Sequence, residues 1–161
     1  MYQEISKTSF LPKRPMMVWD GECNFCKYWI SIWKSKTGEN ISYETYQNVI
    51  TDIPDIQEQF FEKAVRLIEL DGRIFGGPDA AFRSMLYYKT PVGLWHRLYH
   101  RFWLFRKISD YGYKFVTEHR TFMLTLSKMM FGSNPLERKF YWLWYLSSMI
   151  TALIFLLLYY V

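Results

Sequence analysis

The chain's two cysteines lie three positions apart, in Asp20-Gly21-Glu22-Cys23-Asn24-Phe25-Cys26. They fall where a predicted strand ends and a predicted helix begins. Free N–H groups and the positive end of the helix dipole favour a thiolate there over a thiol. A dipole effect of about 1 kcal/mol moves a pKa by less than about one unit, so a strongly acidic Cys23 needs a further cation, for which Lys27 and Arg83 are candidates. The carboxylates of Asp20 and Glu22 push the other way. Asp20 is therefore better cast as a turn or cap residue, or as a proton acceptor for Cys26. The chemistry this permits is thiol–disulfide exchange: Cys23 attacks a disulfide, and Cys26, one helical turn on, resolves the mixed disulfide. That reaction needs neither a metal nor an organic cofactor. Two buried structural cysteines, a vestigial active site, and a zinc site completed by His96 and His100 use the same side chains. Zinc ranks low among these, because the intervening stretch exceeds finger spacing and two histidines beside Arg97 and Arg101 fit a solvated basic face.

The elements that must position these residues are legible in short patterns. Met16 to Trp19 is an apolar run between Pro15 and Asp20-Gly21, which reads as a buried strand. From Cys23, the positions Cys26, Trp29, Ile30 and Trp33 recur at helical spacing, and Lys34, Lys36 and Gly38 supply a C-terminal stop, giving a helix over 23–36. Ile41 to Tyr46 alternates with a period of two and reads as a second strand, parallel to the first across a right-handed crossover. Residues 47–63, interrupted by Pro54, read as a connection with at most a short helix. Val65 to Leu70 and Arg73 to Phe75 are β-prone runs joined by Asp71-Gly72, a dipeptide that favours a type I′ hairpin. Gly77-Pro78-Asp79 opens a helix to about Lys89. Residues 92–131 read as helices. The first, Val92 to Phe105, has Trp95, Leu98, Tyr99 and Phe102 on one face and His96, Arg97, His100 and Arg101 on the other.

Composition bounds the class. The 161 residues are 50% hydrophobic and 20% aromatic, which excludes global disorder. The net charge of +5 suits an anionic membrane surface, but no dense basic run or nucleic-acid motif points to DNA or RNA. Residues 140–161 carry no charged side chain. As a helix they extend roughly 33 Å, enough to cross a hydrocarbon core of about 30 Å. Tyr141, Trp142, Trp144 and Tyr145 at one end, with Tyr159 and Tyr160 at the other, mark two interfacial belts. Lys128, Arg138 and Lys139 precede the span and no charge follows it, which predicts a cytoplasmic N-terminal part. The first 20 residues hold no apolar run of signal-peptide length. A cytosolic setting predicts the dithiol as the resting form.

The segment VWDGECNFC, followed by LIELDGRIFGGPDAAFRSM, resembles the DCC family of predicted thiol-disulfide oxidoreductases, in which an Asp-Gly-x-Cys-x-x-Cys motif pairs with a Gly-x-Asp-Ala-x-x-Arg motif. The similarity runs from about Met16 to Gly132. It implies a thioredoxin-like α/β fold, with which the βαβ-ββα order read above agrees. It also makes Asp20, Cys23 and Cys26 the signature residues, with Asp79 and Arg83 in the second motif. Asp79 and Arg83 also fit a plain i, i+4 ion pair worth about 0.5 kcal/mol. Where thioredoxins place a cis-proline before the strand opposite the cysteines, this chain has Ala64. The expected organisation is a tail (1–14), a thioredoxin-like core (15–90), a helical extension (91–135) and a transmembrane helix (140–161). The expected function is a membrane-tethered, cytosol-facing oxidoreductase acting on a thiol or disulfide substrate. It contacts lipid through residues 140–161 and the helix 92–105. A non-catalytic, membrane-anchored interaction module with structural cysteines is the alternative.

Overall fold

A computed structural model describes residues 2, 5–137 and 139–160 of the chain. Its centre is a four-stranded sheet of β1 (Met16–Trp19), β2 (Ser42–Thr45), β3 (Arg66–Ile68) and β4 (Ile74–Gly76), in the order β2-β1-β3-β4. β1 and β2 are parallel, joined by α1 (Asn24–Thr37), while β3 is antiparallel to both β1 and β4. The strands thus form the βαβ unit and the hairpin expected from the sequence. β1 is central, and its successive side chains feed opposite faces. Met17 packs with Leu67, Ile30, Ile41 and Ala80, under α1 and α4 (Pro78–Ser84). Val18 packs with Ile68, Ile74, Ile53, Phe60 and Phe61 on the other face.

Residues 47–63, expected to be a connection, carry much of that second face together with Tyr46, the expected end of the second strand. They fold into α2 (Tyr46–Val49) and α3 (Glu58–Lys63), which bury Val49, Phe60 and Phe61. Helices of one or two turns are too short to show a period, so burial and not propensity makes them. The hairpin turn also differs from its expected type. Among the described residues only glycines have positive φ, so Asp71 is not left-handed as a type I′ turn requires. The Gly72 N–H donates to the Glu69 carbonyl at 3.0 Å and the Glu69 N–H to the Arg73 carbonyl at 2.9 Å. Gly72, at φ +79°, takes the left-handed position that ends a three-residue loop with a bulge.

The expected helix 92–105 is two helices. α5 (Leu94–Arg101) stops at Phe102, whose backbone is extended, and α6 (Trp103–Glu118) starts afresh, followed by α7 (Arg120–Phe131). α7 packs along α1, where the Tyr28 hydroxyl donates to the Gly132 carbonyl at 2.9 Å. α8 (Tyr141–Tyr160) follows, and from Tyr141 to Tyr159 it is long and apolar enough to cross a membrane, with none of it buried in the protein. Arg138, one of the cations flanking it in sequence, lies outside the described residues.

Arg66 faces the same side of the sheet as Val18 and runs past Gly76, where a Cβ would collide with the Arg66 guanidinium and the Tyr2 carbonyl. Gly76→Ala is accordingly expected to cost about 1–3 kcal/mol, the range for overpacking. Chemical unfolding of the full chain checks this, and an unchanged midpoint would show that the neighbours yield freely.

Candidate functional site

Asp20-Gly21 turns the chain out of β1. The Asp20 Oδ1 accepts the Glu22 N–H at 3.0 Å and the Gln47 amide at 3.2 Å, while the Asp20 carbonyl accepts the Cys23 N–H at 3.3 Å. Gly21 is required because a Cβ there would sit 2.7 Å from the Thr45 methyl. The turn delivers Cys23 as the N-cap of α1, its sulfur accepting the Cys26 N–H at 3.1 Å. Cys23 and Cys26 are joined as a disulfide, with Cα atoms 5.1 Å apart. The structure thus holds the oxidised member of the couple.

The two sulfurs face different surroundings. Cys23 lines an open depression with Glu22, Asn24 and Thr121. Cys26 lines a largely apolar cavity of about 260 Å³, walled by Trp19, Trp29 and Trp33 from the core side and by Val116 and Met123 from α6 and α7. Arg120 borders both spaces. Its guanidinium bonds the Asp20 Oδ2 at 3.1 Å and the Glu62 carbonyl at 2.7 Å. This is the cation that the tertiary structure brings to the cysteines, from 100 residues beyond Asp20. No local pattern marked it, since it opens one of several helices in a run read only as an extension.

The cations proposed from sequence lie elsewhere. Lys27 is exposed and borders a separate depression between α1 and α7. Arg83 bonds the Glu69 Oε1 at 2.8 Å and sits 4.9 Å over the Phe75 ring. Asp79 does not form the i, i+4 pair with Arg83. Fully buried, it lies 3.0 Å from His100 Nε2 and 3.2 Å from His96 Nδ1. The two histidines are therefore not a plain solvated basic face, and they meet Asp79, not the cysteines, so the four-ligand zinc arrangement is not assembled. Arg83, 3.3 Å from His96 Nε2, puts a fixed positive charge beside that cluster, which opposes a metal cation. Asp79 and Arg83 instead tie α4 to α5 and to the end of β3.

Opposite the cysteines, the peptide bonds of the described residues are all trans, and Ala64 is extended at the position where thioredoxins have a cis-proline. The next backbone N–H, that of Val65, donates to the Tyr113 hydroxyl at 3.2 Å. Burial pushes the Tyr113 phenol up to about 12, so it stays a neutral hydroxyl. α6 thereby covers the backbone that leads into β3 beside the cavity.

No curated protein and no solved structure matches the chain. A family model for DCC1-like thiol-disulfide oxidoreductase matches residues 17–126, a stretch that starts in β1, takes in both cysteines, the sheet and the Asp79–Arg83 segment, and ends within α7. Sheet order, cysteine placement and family match agree on a thioredoxin-like α/β fold, and the chain belongs to the DCC1-like thiol-disulfide oxidoreductase family.

Proposed function

We propose that this chain is a membrane-anchored dithiol/disulfide oxidoreductase in which Cys23 is the nucleophile and Cys26 the resolving thiol. The observation that carries the reading is the division of the pair, with Cys23 at an open depression and Cys26 at an apolar cavity. In the reduced protein the Cys23 thiolate attacks one sulfur of a substrate disulfide and expels the other as a thiolate. Cys26, as thiolate, then attacks the Cys23 sulfur and releases the second substrate thiolate. The protein leaves as the disulfide, and the substrate has gained two electrons and the two cysteine protons. Run backwards, the same steps oxidise a dithiol.

Asp20 acts here as a positioning residue, holding the turn and Arg120 together, and Arg120 supplies the cation for a Cys23 thiolate. Because the Val65 N–H already has its partner in Tyr113, substrate docks through side-chain contact and not by strand pairing. α8 is the anchor, and Lys128 and Lys139 before it favour a cytoplasmic catalytic domain.

The test is differential alkylation of the reduced full chain in detergent. Cys23 is expected to react several-fold faster than Cys26 at neutral pH, because thiolate fraction and access both favour it. Equal and slow labelling of both sulfurs would sink the catalytic reading and favour the interaction module.

A further inference from the structure

α6 distributes its side chains the wrong way round for a helix in water. Leu104, Ile108, Tyr111 and Phe115 fall within an arc of about 60° on a helix of 3.6 residues per turn. All four point away from the protein, between 51% and 63% exposed. The opposite side carries polar groups inward: Asp110 accepts the Tyr99 hydroxyl at 2.7 Å, and Tyr113 receives the Val65 N–H. α7 continues the pattern, with Phe122 and Met129 exposed a multiple of a turn apart. A monomeric domain in water rarely leaves so large a contiguous apolar face uncovered.

We infer that α6 and α7 lie flat in the interfacial region of an anionic bilayer, with this stripe among the acyl chains. The inference rests on α8 being the membrane anchor. Two observations select a bilayer over a protein partner. First, α8 begins against the end of α7: Phe131 packs on Phe140 with ring centres 6.4 Å apart, and the Lys139 N–H bonds the Phe131 carbonyl at 2.9 Å. Any membrane that holds α8 is therefore beside α7. Second, the charges are arranged for lipid headgroups. Lys107 and Lys114 flank the same edge of the stripe, where their stems can lie along it and their ammonium groups reach anionic phosphates; Lys114 also pairs at 3.7 Å with the similarly exposed Glu118, a weak surface contact that a phosphate can replace. Lys107 is 5.0 Å over the exposed Trp103 ring, an aromatic of the type enriched at that depth. A helix with one apolar and one charged or polar side binds a membrane in its plane in this way. The consequence for the site is direct, since Val116 and Met123, on the inner sides of these helices, wall the cavity beside Cys26.

The experiment uses the full chain in vesicles of phosphatidylcholine and phosphatidylglycerol, with Cys23 and Cys26 replaced by serine and one nitroxide label at a time. Labels go on Ile108→Cys, Tyr111→Cys and Phe115→Cys in the stripe, on Lys107→Cys and Lys114→Cys at its flank, and on Leu153→Cys in α8. The expected result is an oxygen-to-nickel-chelate accessibility ratio several-fold higher at the stripe and at Leu153 than at the flank. Stripe labels as open to nickel as the flank, with Leu153 shielded from it, would overturn the inference and leave the anchor intact. Stripe labels shielded from both agents would overturn it in favour of a protein partner. A nickel-accessible Leu153 would overturn both the inference and the anchor.

Discussion

Cys23→Ser lowers the rate of thiol–disulfide exchange by more than about a thousandfold, the scale on which removing a nucleophile acts, and Cys26→Ser accumulates a covalent adduct instead. The asymmetry follows from the order of steps, because a chain without Cys26 still attacks but has no thiol to expel the bound substrate. Serine is the informative replacement at position 23. The Cys23 sulfur caps α1 by accepting the Cys26 N–H at 3.1 Å, and a serine hydroxyl accepts the same bond, so the fold is retained and the loss is chemical. Intact-mass measurement of the full chain after exposure to a small disulfide reads both outcomes. A Cys23→Ser protein that keeps its rate, or a Cys26→Ser protein that forms no adduct, would remove Cys23 from the role of nucleophile.

Arg66→Ala is expected to destabilise the chain by about 3–5 kcal/mol, as losing a large buried side chain together with its charge-assisted hydrogen bonds does. Arg66 is 2% exposed. Its guanidinium donates to the Phe60 carbonyl at 3.1 Å from Nε and 2.9 Å from the second terminal nitrogen, bonds the Tyr2 carbonyl, and stacks 3.6 Å over the Phe60 ring. Truncation leaves the buried Phe60 carbonyl without these donors and opens a void beside it. Arg66→Met keeps most of the volume and is expected to lose less, about 1–3 kcal/mol, for the hydrogen bonds alone. Denaturant unfolding of both variants in detergent, with the disulfide state held constant, separates the two contributions. An Arg66→Ala midpoint equal to that of the parent would show that the cation serves no structural purpose.

Neither Arg66 nor Arg120 stands out in the sequence. Each is one of 20 lysines and arginines, and its neighbours in the chain resemble those of the exposed ones. Asp79 and Arg83 show the converse: their spacing fits a local ion pair, yet Asp79 meets two histidines and Arg83 meets Glu69. A surface i, i+4 pair is worth only a few tenths of a kcal/mol, so burial against a packed neighbour readily overrides it. Likewise, the helices of residues 46–63 exist because Phe60 and Phe61 reach the underside of the sheet, a cause several strands away in space.

Interactions that repeat along the chain were legible from residues alone. The apolar run of β1, the helical spacing after Cys23, the paired runs of the hairpin and the uncharged stretch of α8 each state their element, because hydrophobic periodicity is a local property. The position of Cys23 and Cys26 at a strand-to-helix junction was legible for the same reason. The tertiary structure alone decided which cation stands beside that pair, which side chain takes the Val65 N–H, and which side of α6 is left apolar and uncovered. Those outcomes depend on partners far away in sequence, and no spacing rule encodes the side-chain packing that brings them together.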